Sequence, residues 1–163
     1  MSLAKCLSVV ALAFGLALAP FGGVHAQDAF IGSWVLDAAR SNAGPGLMPT
    51  SATLELTAAG GGQYKSVSEA TMAGINTRSE VTFAVDGKDY AVASTPTQPG
   101  TPALTQSIER VSDTVYKSSI KIGGQVIATA LNEISGDGNT LTLTTTGIGQ
   151  FAAISSTMVL HRK

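Results

Sequence analysis

Apolar and polar residues alternate along most of the chain beyond residue 30. Leu54 and Leu56 alternate with Thr53, Glu55 and Thr57, and Val81, Phe83 and Val85 with Glu80, Thr82 and Ala84. Leu141 and Leu143 alternate with Thr140, Thr142 and Thr144, while Ile154, Met158 and Leu160 share one face of the last segment. A period of two places every second side chain on the same side, the pattern of a strand buried on one face. Threonine, valine and serine recur throughout, residues that suit a pleated, half-buried surface. Short glycine-bearing breaks at Gly60-Gly61-Gly62, Asp86-Gly87, Gly123-Gly124 and Gly136-Asp137-Gly138-Asn139 separate the alternating runs and read as turns. The pattern predicts eight to ten strands, near 31–37, 51–58, 63–70, 76–85, 89–94, 104–111, 114–122, 125–135, 140–146 and 152–162. Residues 85–90 and 120–126 read as tight hairpins. The proline- and glycine-bearing segments 43–49 and 95–102 read as loops.

Strands joined by such short connections favour an up-and-down antiparallel meander. Closing it into a barrel removes the exposed edges that an open sheet of this length would have to protect. The expected class is therefore all-β, an antiparallel barrel, with a two-sheet sandwich of the same strands as the alternative. No repeat or change of composition divides residues 27–163, which read as a single domain.

The first residues follow another pattern. Lys5 supplies a positive charge, Leu7 to Ala19 is an apolar run broken only by Ser8 and Gly15, and Pro20, Gly22 and Gly23 interrupt any helix. Val24-His25-Ala26 then offers a cleavage site. That order is the signature of a secretory signal over residues 1–26, and the apolar run is shorter than a bilayer-spanning helix requires. The expected mature chain starts at Gln27 and is exported, to a periplasm or to the extracellular space. The only cysteine, Cys6, falls inside the signal, so the mature domain holds no disulfide and offers no thiolate.

Charge narrows the function. Ten basic residues face eleven acidic ones, for a net charge of −1, and the nearest approach to a basic run is His161-Arg162-Lys163 at the end. A nucleic-acid binder needs several phosphate-facing cations in one stripe, so that class is excluded.

Chemistry is sparse. His161 is the one histidine of the mature chain, and its place between Leu160 and Arg162 at a strand end suits a solvated side chain better than a general base. Asp137-Gly138-Asn139 opens like a calcium loop, but Leu141 stands at the next ligand position, and zinc would need three or four His, Cys or carboxylate ligands. The glycine clusters lack the helix that a phosphate cradle requires behind it. No catalytic residue, metal site or cofactor is expected.

A binding function has more support. Val126, Ala128 and Ala130 share a face, as do Ala91 and Ala93, and small inward residues would leave room in a barrel. Tyr64, Phe83, Tyr90 and Tyr116 are candidate walls of such a site. Arg110 shares the apolar face of its strand with Leu104, Gln106 and Ile108, and would pair there with an anionic group. The plainer readings are a filled core and an arginine reaching solvent from a strand end. The expected function is an exported, non-enzymatic barrel that takes a small apolar or amphipathic molecule. The alternatives are an interaction or inhibitor protein acting through loops 43–49 and 95–102, and a hydrolase or isomerase using scattered acids.

Phe30-Ile31-Gly32-Ser33-Trp34 opens the first strand, and Arg162 lies in the last. A Gly-x-Trp at the head of an exported β-meander resembles the opening of lipocalins and the wider calycin group. The resemblance implies that Trp34 plugs one end of the barrel, that Arg162 packs across it, and that Gly32 permits the approach. Residues 32–41, the segment Gly44-Pro45-Gly46, Asp86 to Tyr90 and Arg110 to Val115 resemble bacterial exported lipocalin-like proteins, and together these matches span residues 30–162. A second lipocalin motif resembling Thr-Asp-Tyr is missing, as is the Arg-x-Tyr pair with which the last strand of fatty-acid-binding proteins holds a carboxylate.

Overall fold

The computed structural model describes residues 28–96 and 102–163; the expected signal, 1–26, and most of the loop 95–102 lie outside the described residues. Eleven strands account for most of the described chain: β1 (Gly32–Leu36), β2 (Ser51–Gly60), β3 (Gln63–Met72), β4 (Ile75–Phe83), β5 (Tyr90–Ala91) and β6 (Ala93–Thr95). After the loop come β7 (Leu104–Arg110), β8 (Val115–Ile122), β9 (Gln125–Ile134), β10 (Thr140–Gly147) and β11 (Ser156–Arg162). All pair antiparallel in one sheet, in the order β5-β7-β8-β9-β10-β11-β1-β2-β3-β4-β6. Gly123 and Gly124 turn β8 into β9 with φ of +57° and +81°, the pair of positive values that a two-residue hairpin turn demands.

The two ends of that order identify the architecture. β5 and β6 are separated in sequence only by Val92, yet β5 lies on β7 and β6 lies on β4. Tyr90 stands opposite Gln106, the Val92 N–H donates to Leu104 O at 2.9 Å, and Ser94 then stands opposite Ser79. One short stretch of chain thus changes partner and joins the two edges of the sheet. The fold is a barrel, not a two-sheet sandwich.

Three expectations change. The segment 85–90 is not a hairpin between adjacent strands: Asp86 bridges to Glu109, and the Gly87 N–H donates to Ile108 O at 3.0 Å. The chain crosses from β4 to β7 there, because the gap in the ring lies between those strands. Ala91 and Ala93 are exposed; their neighbours Tyr90 and Val92 pack against the core instead. Residues 149–154 form a 3-10 turn, and the last strand starts only at Ser156, so Ile154 belongs to a loop and is exposed. The turn is needed because the loop backbone crosses close to β10: a Cβ on Gly147 would stand 2.0 Å from Phe151 O.

Alternation sends one face of each strand inwards. The core gathers Phe30, Trp34, Leu56, Phe83, Tyr116 and Leu141 with their buried neighbours. It lies towards the end of the barrel where β1 begins and where the β2–β3, β7–β8 and β9–β10 turns meet.

Candidate functional site

Residues 28–31 cross that end of the barrel. The Ile31 N–H donates to Asp28 O at 2.9 Å and the Phe30 N–H to Asp28 Oδ1 at 3.0 Å, folding the segment into a compact turn. Trp34 follows, inward on β1 and only 1% exposed, its indole N–H donating to Phe30 O at 3.1 Å. Opposite it on β11, the Arg162 guanidinium lies 4.3 Å from the indole ring centre. Its three nitrogens donate to Gly138 O at 2.9 Å, Ile31 O at 2.9 Å and Ala29 O at 2.7 Å. A Cβ on Gly32 would come within 2.3 Å of Arg162 Nη1, at a φ of +150°. Only glycine leaves the guanidinium that space.

Above this floor lies a cavity of about 230 Å³. Leu54, Leu56, Phe83, Ile108, Leu141 and Leu143 supply its apolar wall, with Phe30 and Trp34 beneath. Tyr64, Ser66, Ser68, Gln106, Tyr116 and Asn132 supply polar atoms. The tyrosines are fixed by ring contacts. Phe30 meets Tyr116 edge to face at 4.1 Å between centroids, and Tyr64 stacks on Phe83 at 5.7 Å.

Both tyrosines point their hydroxyls at one carboxylate. Tyr64 donates to Asp28 Oδ2 at 2.8 Å, Tyr116 donates to the same oxygen, and Arg110 Nη1 stands 4.0 Å from it. The Asp28 side chain is 8% exposed. Burial alone would push its pKa up. Hydrogen bonds from Tyr116, the Phe30 N–H and Tyr64, with the charge of Arg110, outweigh burial and hold the carboxyl below the ordinary aspartate value. Burial, followed by the bond to Asp28, raises the pKa of both tyrosines.

No protein-family model matches the chain, and no curated protein sequence matches it. Solved structures do. Fatty-acid-binding protein 1 of Echinococcus granulosus superposes with a TM-score of 0.55 at 19% identity, over 83% of this chain and 98% of that one. A fatty-acid-binding protein of Schistosoma mansoni, solved in complex with arachidonic acid, gives 0.55 at 14% identity, over 83% and 96%. The fluorescent protein UnaG gives 0.57 at 17% identity, over 82% and 97%. The barrel has the fatty-acid-binding-protein fold.

Within this fatty-acid-binding-protein fold, the sequence candidates separate. Tyr64, Phe83 and Tyr116 come together on the cavity wall. Tyr90 is not among the lining side chains: it packs beside the core and donates to Asp86 Oδ1 at 3.0 Å. Arg110 has inward parity, opposite Tyr116, but it ends its strand and is 41% exposed. There it lies 5.5 Å from the Tyr116 ring centre, donates to Ser112 O at 3.2 Å and pairs with Asp113 at 3.4 Å. Ala128 and Ala130 are buried and do not line the cavity, whose polar side is opened instead by Ser66 and Ser68. His161 faces outwards, 3.9 Å from the Asp37 carboxylate. Asp137 accepts from the Ser135 hydroxyl at 2.5 Å and the Asn139 N–H at 3.0 Å, capping the β9–β10 turn. Asp28, Phe30 and Asn132 also belong to the site, and no pattern in the sequence picks them out as site residues. Asp28 precedes the first strand and carries no periodic signal, whereas Asn132 follows Ala128 and Ala130 in parity.

The Asp28 cluster fixes a pH dependence. A carboxyl whose folded pKa lies below its unfolded value of 3.8 stabilises the fold above that value, and the stabilisation is lost as pH falls through the folded value. The melting temperature of the wild type should therefore decline more steeply than that of Asp28→Asn as pH falls from about 5 to about 2. Parallel curves would show that the carboxylate contributes nothing in this window.

Proposed function

We propose that the protein is an exported, non-enzymatic barrel that holds one small apolar or amphipathic molecule. The observation that carries this reading is the cavity of about 230 Å³, closed below by Trp34 and Phe30 and walled by apolar side chains with a few polar atoms among them. That combination is the usual make-up of a small-molecule site. It is smaller than the roughly 300–1,000 Å³ of sites for drug-sized ligands, which favours a compact guest. The fatty-acid-binding proteins of the same fold support an apolar guest, and the charged, apolar and small-residue order of residues 1–26 supports export.

Intact-mass measurement under native conditions, on protein recovered from the exported fraction, tests both parts. The expected species starts at Gln27 and carries the added mass of one retained molecule. In solution, octanol should shift the emission of Trp34, the only tryptophan and a cavity-lining one. Ser68→Phe should abolish the shift by filling the space. A wild type that leaves octanol unbound, or a chain still starting at Met1, would remove the corresponding half of the proposal.

A further inference from the structure

The Asp28 cluster governs which head group a guest of the cavity can carry. Tyr64, Tyr116 and Arg110 form a seat for a carboxylate: two hydroxyl donors on one oxygen and a guanidinium beside it. Charge-assisted donors of this kind are the strong recognition elements for such a group. The seat is already filled. Asp28, from the segment that crosses the barrel end, places its own carboxylate there and receives a further bond from the Phe30 N–H. Its oxygens are thereby supplied with donors, and the tyrosine hydroxyls are spent.

The polar atoms left for a guest are neutral. Gln106, Ser66 and Ser68 line the cavity without a protein hydrogen-bond partner for their side chains among the described residues, and Asn132 uses only its N–H, on Tyr116 O at 3.3 Å. No cationic side chain lines the cavity among the described residues. A carboxylate entering would lose its hydration, find no positive partner and approach a second carboxylate held behind Tyr64 and Tyr116. Desolvation and like charge both penalise it. A hydroxyl or carbonyl on an apolar chain meets no such penalty and finds Gln106, Asn132 and the serines.

We propose that Asp28 is the specificity-determining residue of the cavity: by occupying the carboxylate seat of Tyr64, Tyr116 and Arg110, it restricts the site to uncharged amphipathic molecules. This rests on the cavity being a binding site. Removing Asp28 should then convert the barrel into a carboxylate binder, because the seat is vacated with its donors in place.

Octanol and octanoate, equal in chain and different in head group, test this at neutral pH through Trp34 emission. The wild type should bind octanol at least about tenfold more tightly than octanoate. Asp28→Ala should gain about tenfold or more in octanoate affinity with little change for octanol, and adding Arg110→Met to it should reverse the gain. Asp28→Asn keeps an acceptor for the tyrosines and leaves the seat occupied. It should gain less than Asp28→Ala, and it provides the charge test on its own if the alanine variant does not fold. Octanoate binding the wild type as tightly as octanol, or an octanol-to-octanoate ratio unchanged in both Asp28 variants, would overturn the role of Asp28 and leave the cavity reading standing. Neither probe binding the wild type or a folded Asp28 variant would overturn the cavity reading itself.

Discussion

Replacing Trp34 with alanine should destabilise the protein by about 3–5 kcal/mol, as for other fully buried aromatic side chains cut back to a methyl. Among the described residues, the indole and the Leu141 side chain are the largest that are fully buried. Three contributions add. The apolar area returns to water or lines a void. The bond to Phe30 O at 3.1 Å disappears, which loosens the segment carrying Asp28. Arg162 loses the ring on which its guanidinium lies at 4.3 Å. The site is poorly placed to collapse, because β1, which carries Trp34, is pinned in register between β11 and β2. Urea denaturation of the two proteins measures the difference. A loss below about 1 kcal/mol would mean that the floor repacks without the indole.

Arg162→Met should cost about 2–4 kcal/mol, although the residue is only half-buried. Methionine keeps an apolar stem against Trp34, so the effect reports chiefly on the guanidinium. Bonds from a charged donor contribute about 1.5–3 kcal/mol each, and Arg162 makes three, to Ala29, Ile31 and Gly138 carbonyls. Their sum overstates the loss, since water reaches the exposed side of the arginine and replaces part of each bond. Lysine should rescue little, because a single ammonium cannot reach three carbonyls arranged round a planar fork. In a double-mutant cycle the two substitutions should couple by about 1 kcal/mol or more. Additive effects would show that the ring and the guanidinium stabilise the floor independently.

The strands were legible because their periodicity is enforced: one inward face per strand is a condition of burial, and the turns need glycine at positions such as Gly123 and Gly124. The seam was not. Residues 89–94 alternate like any strand, and nothing in their composition says that the partner changes at Val92; that follows from which edges the rest of the sheet leaves unpaired. The cavity was legible in part. Tyr64, Phe83 and Tyr116 were marked by being large aromatics on inward positions, but Tyr90 met the same criterion and turned to Asp86 instead. Asp28 left no mark at all. Its burial depends on two hydroxyls and a guanidinium that arrive from residues 64, 116 and 110, and no local pattern encodes a meeting over such separations.

The change of partner at Val92 also has a mechanical consequence. Every other junction in the ring is a ladder of neighbouring strands, whereas this one is a splice: Tyr90 and Ala91 hold one side, Ala93 to Thr95 the other. Even with the Asp86–Glu109 bridge and the bond from the Gly87 N–H to Ile108 O at the same seam, parting it breaks fewer backbone bonds than parting any full ladder, so the ring opens there at the least free energy. The barrel is thus a split hoop, tied least at one place, on the arc opposite the pair formed by Trp34 and Arg162.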